Sequence, residues 1–367
     1  MDGPVNSANP KPTDARQRAP ESIRIFYKTY QRISPTAVDY DLDILDFSRG
    51  ISPEQERRLR LVHHLRYEDV RAACATFSGH NVDRLALLNV DIPVYECVDV
   101  AGLLLIPSLL PRQTQRDLSS RLLHTALANS RHKTNIHVHY EIPYEAINSD
   151  SLRKSTGGEA SFFDLSPSST TQFHPLKSEI RDPITVSQFL RKKLRWITLG
   201  GQYDWNEKVY HDIDPPPFPP DIADLMHSLF PNTKAEVAIV NIYTPGDTLS
   251  IHRDVSEEST KGLISISIGC DCIFVVGLDS VDGSTTKNLA IRLRSGDALY
   301  MSGCSRFAWH GVPQVIQGTC PPWLSDWPAQ TATMAANGGV VADKYEAWRD
   351  WMSNKRINLN IRQLKDA

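Results

Sequence analysis

Short apolar runs with an alternating pattern dominate the chain after residue 235. Residues 263–268 alternate strictly, so three isoleucines lie on one face of a predicted strand and the serines lie on the other. Five further runs have strand character: 237–243, 273–276, 291–293, 298–301 and 356–362. Because glycine-containing turns separate most of these runs, the pattern predicts a sandwich or jelly roll over residues 235–367.

The beginning of the chain has a different pattern. Residues 1–20 are rich in proline, asparagine, serine and charge, and we predict that they are disordered. Residues 21–95 are charged and predict a helical N-terminal extension. Within it, Ser52 and Pro53 resemble a helix start. We interpret the arginine- and histidine-rich run that follows, 57–66, as the solvated face of a helix.

The middle segment, 96–234, mixes both patterns. An apolar run at 103–107 predicts a buried strand, and an amphipathic helix is expected over about 112–129. Serine, threonine and glycine over 148–171 predict a loop with little order. A helix with basic residues then leads into an aromatic segment within 183–199. The whole chain therefore predicts an α+β protein, with helical segments before a β-rich core.

Composition narrows the class of protein. The chain has 367 residues, 41% hydrophobic and 23% charged, which is typical of a globular protein. No apolar run approaches the roughly 18 residues of a membrane-spanning helix, and we expect a monomer without a membrane segment. The six cysteines lack the spacing of a disulfide framework, so we expect reduced thiols and a location in the cytoplasm or nucleus rather than the mitochondrion. With a net charge of −3, any contact with a polyanion must come from a local basic patch.

A candidate metal site is formed by His252, Asp254 and His310. Residues two apart in an extended segment project to the same side, so His252 and Asp254 can reach one ion. His310 follows a predicted strand that a double-sheet fold can place beside the first. Two imidazoles and one carboxylate leave three positions open, the arrangement of non-heme iron enzymes that bind 2-oxoglutarate and dioxygen. Alone, the His-x-Asp pair is a weak signal, and two surface histidines would be the ordinary interpretation.

The last predicted strand, 356–362, strengthens that interpretation. Its odd positions are apolar and its even positions are Arg356, Asn358, Asn360 and Arg362. Such a polar face belongs to solvent on an outer strand. Inside a barrel-like domain, arginines at both ends suit an anion with two carboxylates, because guanidinium binds carboxylate bidentately. Two further residues that lie two apart on a predicted strand could add donors: Asn241 and Tyr243.

Several motifs in the same order resemble the AlkB dioxygenases, and most closely the fungal form of the eukaryotic AlkB homologue 1 type. They are Asn241-Ile-Tyr243, Thr248 to Asp254, Ser265 to Gly269, Ser295-Gly-Asp297, Gly303 to Gly311 and Arg356 to Gln363. The resemblance covers about 165–365. It implies a double-stranded β-helix that binds iron(II), 2-oxoglutarate and dioxygen at the sites above. It also implies that Arg356 pairs the distal carboxylate of the co-substrate, that Arg362 lies nearer the metal-chelating end, and that Asn241, Tyr243 and Asn358 contact the co-substrate.

The resemblance further implies a lid that grips a nucleotide. In the family pattern a tryptophan and a tyrosine stand seven residues apart, which Trp196 and Tyr203 match. An aromatic wall can hold a base taken out of the stack, and the basic residues of 191–195 could contact flanking phosphates. The family's second acidic residue, two after the metal aspartate, is Ser256 here, and we expect Glu257 to contact the substrate instead. An aromatic packed in the core beside a solvated helix end is the alternative.

The leading hypothesis is oxidative demethylation of a methylated base in nucleic acid, in nucleic acid modification or DNA repair. Transfer RNA is favoured by the resemblance, and other RNA or DNA stays open. Hydroxylation of a protein or small molecule by the same iron core is a second interpretation, and a non-catalytic scaffold is a third. A proline- and alanine-rich insertion at 319–339, with Trp323 and Trp327, is predicted as a surface loop near the cofactor entrance.

Overall fold

The computed structural model describes residues 14, 16–79, 90–148, 160–205, 207–210, 214–279, 286–329 and 343–366. Within this part of the chain the strands are β1 (Ile44–Leu45), β2 (Leu59–Leu65), β3 (Ile92–Cys97), β4 (Leu103–Ile106), β5 (Gln172–Phe173), β6 (Ile184–Thr185), β7 (Trp196–Gly200), β8 (Tyr203–Asp204), β9 (Val209–Tyr210), β10 (Val237–Tyr243), β11 (Leu249–His252), β12 (Leu263–Gly269), β13 (Cys272–Asp279), β14 (Thr286–Leu293), β15 (Ala298–Met301), β16 (Trp309–Val315) and β17 (Arg356–Arg362).

The α-helices of the same residues are α1 (Glu21–Arg32), α2 (Pro35–Val38), α3 (Pro53–Glu56), α4 (Tyr67–Ser78), α5 (Arg112–Ser120), α6 (Tyr144–Asn148), α7 (Val186–Gln188), α8 (Pro220–Leu229) and α9 (Pro322–Ser325). Single turns of 3₁₀ helix are Phe47–Arg49, Asn135–Val138, Phe162–Asp164, Gly303–Phe307, Glu346–Trp348 and Trp351–Asn354, and π-helical turns are Arg121–Ala126 and Phe189–Lys193. None of the described helices is both long and apolar enough to cross a membrane.

Two sheets form the centre of the molecule. The smaller has the order β1-β14-β13-β16-β11, and the larger has the order β2-β3-β4-β15-β12-β17-β10-β7. A buried apolar cluster joins side chains of both sheets, for example Phe274 of the smaller and Leu299 of the larger. The sheets therefore pack face to face, which confirms the predicted jelly-roll core in a protein that mixes helices and sheets.

Strict alternation in β12 and β17 gives the large sheet two unlike faces. Ile266 and Leu359 belong to a cluster that also holds side chains of α4, α5 and α8, so this face packs against helices. The opposite face carries Ser267 and the polar residues of β17, and it lies between the two sheets. An interior that would normally be apolar is therefore lined by hydroxyl, amide and guanidinium groups, which require polar partners.

The N-terminal extension is less helical than predicted. Residues 59–65 form β2, which pairs antiparallel with β3 at the edge of the large sheet. Cross-strand ion pairs, Arg60 with Glu96 and Arg58 with Asp99, compensate the charges that had suggested a solvated helix. Because an edge strand leaves most of its residues in water, its sequence need not alternate. The helical interpretation of the run 57–66 was therefore wrong.

The predicted domain boundary at residue 234 divides the large sheet, since β2, β3, β4 and β7 come from before it. The extension itself is part of the folded unit. α1 packs on the small sheet through Ile23, Tyr27 and Tyr30. Of the segment predicted as disordered, residues 1–13 and 15 lie outside the described residues, whereas Gln17 accepts a hydrogen bond from Arg253 and Ala19 is buried.

The two loop predictions were wrong at three aromatic residues. Phe162 and Phe163, inside the stretch read as a poorly ordered loop, are almost fully buried. Trp327, placed in a predicted surface loop, is 2% exposed and packs against Phe163 and Trp351. Residues 330–339 of that predicted insertion lie outside the described residues. Large rings in a hydrophilic context can thus belong to the core, because burying one removes a large apolar area from water.

Candidate metal and co-substrate site

Pairing between β11 and β16 brings the two candidate histidines together. His252 is the last residue of β11 and lies opposite His310 of β16, with ring centroids 4.4 Å apart. Asp254 is two residues further along, and its carboxylate oxygens lie 3.7 Å from His252 Nε2 and 3.6 Å from His310 Nε2. One potential ligand atom from each residue lies within 4.8 Å of the others. The predicted triad therefore converges on one point.

The backbone fixes the tautomer of both imidazoles. His252 Nδ1 lies 2.9 Å from the Ser250 carbonyl oxygen. His310 Nδ1 lies 3.0 Å from the Ala308 carbonyl oxygen. Because a carbonyl can only accept, each Nδ1 carries the proton and each Nε2 offers a lone pair to the centre of the triad. Burial, reinforced by His252, lowers the pKa of His310 to about 4, so this ring is a neutral ligand at neutral pH.

Asp254 supplies the negative charge of the triad. Burial would raise its pKa, but Arg362, the two imidazoles and Arg306 together hold the pKa of this carboxyl well below its usual range. Two imidazoles and a carboxylate on one side of an ion are the donor set that non-heme iron(II) enzymes use. The residues thus fit a divalent iron centre with open positions for further ligands.

A second polar group lies deeper between the sheets, around Arg356. Arg356 is 1% exposed and donates from Nη2 to Ser267 Oγ at 3.0 Å. Its Nε and Nη1 atoms have no hydrogen-bond partner among the described residues, and neither does the buried hydroxyl of Tyr243. Burial raises the pKa of the Tyr243 phenol, which keeps it a donor. Buried donors without acceptors are costly, so this cluster fits a carboxylate supplied by a ligand.

The other predicted co-substrate residues occupy different positions. Arg362 lies beside the metal triad, as the resemblance implied, and donates from Nη2 to Asp254 Oδ2 at 2.8 Å. Asn358 is already engaged, since its amide donates to Ser265 Oγ at 2.8 Å. Asn241 lines the cavity that also contains His252. Of the predicted clamp, Arg356 and Tyr243 therefore carry buried donors without any partner among the described residues, whereas Arg362 braces the aspartate and its Nε, which makes no hydrogen bond, faces Glu257 at 3.4 Å.

Glu257, predicted to contact substrate, lines the cavity that also contains His252 and takes part in a buried ion-pair network. It is 2% exposed and lies 2.9 Å from Arg306 Nη2 and 3.4 Å from Arg362 Nε. Arg306 also donates to the backbone carbonyl of Asp254 at 2.8 Å. Both carboxylate oxygens of Glu257 thus face guanidinium groups. The local sequence could not indicate this, because Arg306 is 49 residues away.

A cavity of about 380 Å³ opens over the triad. Its aromatic lining consists of Tyr203, Trp205 and Tyr210, and the Tyr203 hydroxyl lies 3.2 Å from Ser256 Oγ. Trp196 does not line this cavity but packs on Trp205, with ring centroids 5.0 Å apart. The aromatic wall therefore exists, with Trp205 as the cavity-facing tryptophan. The sequence carried a signal for this wall, because Tyr203 and Trp205 are two residues apart and side chains two apart in an extended segment project to the same side.

Basic side chains surround the outer end of this wall. Arg191, Lys192, Lys193 and Arg195 are exposed immediately before Trp196. The side chain of Asn135 joins a second basic segment, 131–133, to them, since it donates to the Lys193 carbonyl at 2.8 Å and accepts from the Arg195 amide at 2.8 Å. On a chain of net charge −3, this concentration of cations is local, although Arg195 pairs with Asp247 and Arg131 with Asp214.

A double-sheet fold with a convergent His-Asp-His triad defines the class of non-heme iron oxygenases. The family described as the 2OG-Fe(II) oxygenase superfamily matches residues 163–362. The chain belongs to this superfamily and, within it, to the AlkB family. It is accordingly an iron(II)- and 2-oxoglutarate-dependent dioxygenase, whose cofactors are iron(II), 2-oxoglutarate and dioxygen.

Three fungal relatives extend over much of the chain. An N6-methyladenosine RNA demethylase of Pyricularia oryzae is 40% identical over 96% of this chain and 98% of its own length. A second protein with that activity in its name, from Cryphonectria parasitica, is 46% identical over 63% of this chain and 100% of its own. A tRNA demethylase of Schizosaccharomyces pombe is 36% identical over 77% of this chain and 85% of its own.

Proposed function

We propose that this protein oxidatively demethylates N-methylated bases in RNA. The observation that carries the proposal is the cavity of about 380 Å³ in which His252 and Asp254 of the His-Asp-His triad and an aromatic wall line the same space. The relatives similar over most of the chain, named as RNA or tRNA demethylases, support the same activity. With 2-oxoglutarate bound, iron(II) supplies the oxidising chemistry that turns co-substrate and dioxygen into succinate and carbon dioxide and hydroxylates the methyl carbon, which leaves as formaldehyde.

In this proposal each part of the site has a separate role. The iron would be held by three side chains: the two histidines, His252 and His310, through Nε2, and Asp254 through a carboxylate oxygen. Arg356 and Tyr243, which lie opposite each other on paired strands, would bind the carboxylate of 2-oxoglutarate that lies away from the metal, because both carry buried donors without a partner among the described residues. Asn241 faces the same cavity as His252 and orients polar groups of the ligands. These residues bind and orient, and the closed interior between the sheets excludes water.

The base is held by Tyr203 and Trp205, with Trp196 supporting Trp205 from behind. Stacking of this kind contributes roughly 1–3 kcal/mol per base and does not depend on its identity. Ser256 and the Tyr203 hydroxyl offer polar contacts at the rim of the same cavity. Selectivity must therefore come from hydrogen bonds and charge rather than from stacking.

The charges of the cavity favour a neutral methylated base. The carboxylates among its described lining residues are Asp254 and Glu257, and both contact Arg362. A base such as N6-methyladenine carries no charge, whereas 1-methyladenine is cationic at neutral pH. Arg253 is likewise paired, with Asp279 at 3.6 Å. A cationic base would therefore find no carboxylate among the described lining residues without an arginine partner, and the cost of removing its charge from water in a partly buried site would not be offset. We infer that N6-methyladenosine is preferred over 1-methyladenosine.

The basic segment at the mouth supports RNA as the polymer. Lys192 and Lys193 are exposed next to Trp196, where they can contact phosphates that flank an extruded nucleotide. If they do, the double variant Lys192→Gln/Lys193→Gln binds a short single-stranded RNA with a salt dependence reduced by about 0.7 per lost contact in log K against log salt. Turnover of the free methylated nucleoside is expected to stay unchanged.

Release of formaldehyde and loss of the methylated nucleoside test the proposal directly. One RNA sequence is prepared with N6-methyladenosine, with 1-methyladenosine and without a methyl group, and N6-methyladenine is placed in the matching DNA. Fastest turnover of the N6-methyladenosine RNA is expected, with none in His310→Ala. Faster turnover of the 1-methyladenosine RNA would overturn the charge argument. Faster turnover of the methylated DNA would overturn the assignment of RNA as the polymer. Succinate release that no nucleic acid stimulates would favour a protein or small-molecule substrate instead.

A further inference from the structure

Asp254 is held differently from the other two residues of the triad. His252 and His310 lie on paired strands, so the ladder between β11 and β16 fixes their backbones. Asp254 lies beyond the end of β11, in an irregular segment that runs to β12. A metal site requires its ligands within about 0.5 Å of their working positions. Something other than a strand ladder must therefore hold the aspartate.

The guanidinium of Arg306 is hydrogen-bonded to the segment that carries Asp254. It is 1% exposed and belongs to the 3₁₀ turn that precedes β16. Two of its nitrogens grip the irregular segment, since Nη1 donates to the Asp254 carbonyl at 2.8 Å and Nε to the Lys261 carbonyl at 2.9 Å. This one side chain thus connects the segment that carries Asp254 to the element that carries His310, four residues away.

The third nitrogen of Arg306 closes a ring of contacts. Nη2 lies 2.9 Å from Glu257 Oε2, and Glu257 Oε1 lies 3.4 Å from Arg362 Nε. Arg362 in turn donates to the Asp254 carboxylate at 2.8 Å. The aspartate is therefore held at its backbone by Arg306 and at its side chain by Arg362, and Glu257 lies between the two guanidinium groups with its charge compensated by both.

We propose that Arg306 and Glu257 are positioning residues that fix Asp254 in the geometry required for metal binding. Neither residue is one of the three metal ligands, and Glu257, although it lines the cavity, has both carboxylate oxygens against guanidinium groups. The proposal concerns this chain's own metal affinity, so it does not depend on which substrate is demethylated. Partners of metal ligands typically change metal affinity by about 10–100-fold when they are removed, and Arg306 is expected to lie within that range.

Titration of the purified metal-free protein with Mn(II) alone tests the proposal. Arg306→Gln is expected to weaken the dissociation constant for Mn(II) by about 10–100-fold. Arg306→Lys keeps the charge but can reach fewer of the three acceptors, so an intermediate affinity is expected. Glu257→Gln keeps the shape and is expected to weaken binding as well. If Glu257 acts through Arg306, the double variant is about as weak as Arg306→Gln alone.

Arg292 provides a matched control outside the site. It is 6% exposed and pairs with the buried Asp271 at 2.8 Å, so its loss also removes a buried ion pair. Arg292→Gln is expected to lower the melting temperature and leave the Mn(II) affinity unchanged. A folded Arg306→Gln that melts early but binds Mn(II) like the wild type would overturn the proposal. Should that variant not fold, Glu257→Gln decides the matter by the same comparison.

Discussion

Replacement of Arg356 by methionine tests whether its guanidinium binds 2-oxoglutarate or only stabilises the fold. Arg356 is 1% exposed, and its Nε and Nη1 have no partner among the described residues. Without 2-oxoglutarate, a buried charge lacking a carboxylate is costly, and an apolar side chain of similar volume is expected to leave stability unchanged or raise it. With 2-oxoglutarate, the same replacement removes two charge-assisted hydrogen bonds.

The magnitude follows from those two bonds. Each contributes roughly 1.5–3 kcal/mol, so their loss amounts to about 3–6 kcal/mol. At about 1.4 kcal/mol for each tenfold change, the dissociation constant for 2-oxoglutarate is expected to rise by roughly 10²–10⁴. Thermal unfolding with Mn(II) present gives the assay. At a co-substrate concentration 100 times its dissociation constant, the wild type gains about 2.7 kcal/mol, and Arg356→Met gains less than about 0.5 kcal/mol.

Arg292→Met is expected to behave in the opposite way to Arg356→Met, losing stability but keeping the response to 2-oxoglutarate. Its guanidinium already contacts Asp271, so its loss is expected to destabilise the protein by roughly 3 kcal/mol and to leave the shift caused by 2-oxoglutarate intact. The reasoning is refuted if Arg356→Met is destabilised as strongly as Arg292→Met while 2-oxoglutarate still stabilises it. Arg356 would then be a structural residue, and the co-substrate would bind elsewhere.

Three further predictions concern the metal, the base and a buried lysine. His310→Ala is expected to abolish Mn(II) binding and succinate formation, and turnover at the wild-type rate would remove the metal assignment. Trp205→Ala is expected to raise KM for RNA more than Trp196→Ala, because Trp205 faces the cavity; equal effects would contradict this order. Burial, with two nearby arginines, lowers the pKa of Lys355 to about 8. A depressed lysine pKa penalises the folded state at low pH, so the wild type should gain stability relative to Lys355→Met between pH 8 and 10, measured by thermal unfolding.

Local periodicity was sufficient to predict the chemistry on the strands. In β17 the side chains alternate, so the sequence alone separated Arg356 and Arg362 from the apolar face, and the structure places that polar face between the two sheets. The pair His252 and Asp254 followed from the same two-residue spacing. The prediction of His310 as the third ligand required one further assumption, that its strand lies beside the strand that carries His252. These features depend on neighbours along the chain or on one strand pairing.

The remaining features depend on contacts between distant residues. Glu257 and Arg306 form an ion pair that no local pattern indicates, so the sequence could not predict that Glu257, besides lining the cavity, also braces the site. The basic run 57–66 has a composition that suits a helix face or an edge strand equally. Its strand conformation is decided by pairing with β3, a tertiary interaction. Trp327 likewise required knowledge of the aromatic rings that enclose it.

The metal and co-substrate residues lie on strands of the central sheets, whereas part of the aromatic wall lies on a short separate hairpin. The histidines and Arg356 lie on strands of four to seven residues with neighbours on the central sheets. Tyr203 and Tyr210 lie on a separate pair of two-residue strands, β8 and β9, which pair as strands only with each other in the described part of the chain. Tyr210 also accepts a hydrogen bond from Arg362, so substitutions elsewhere in that short hairpin alter the wall that holds the base without disturbing the strands that carry the metal-binding histidines. Such substitutions are therefore expected to change which methylated base is held while the iron ligands stay in place.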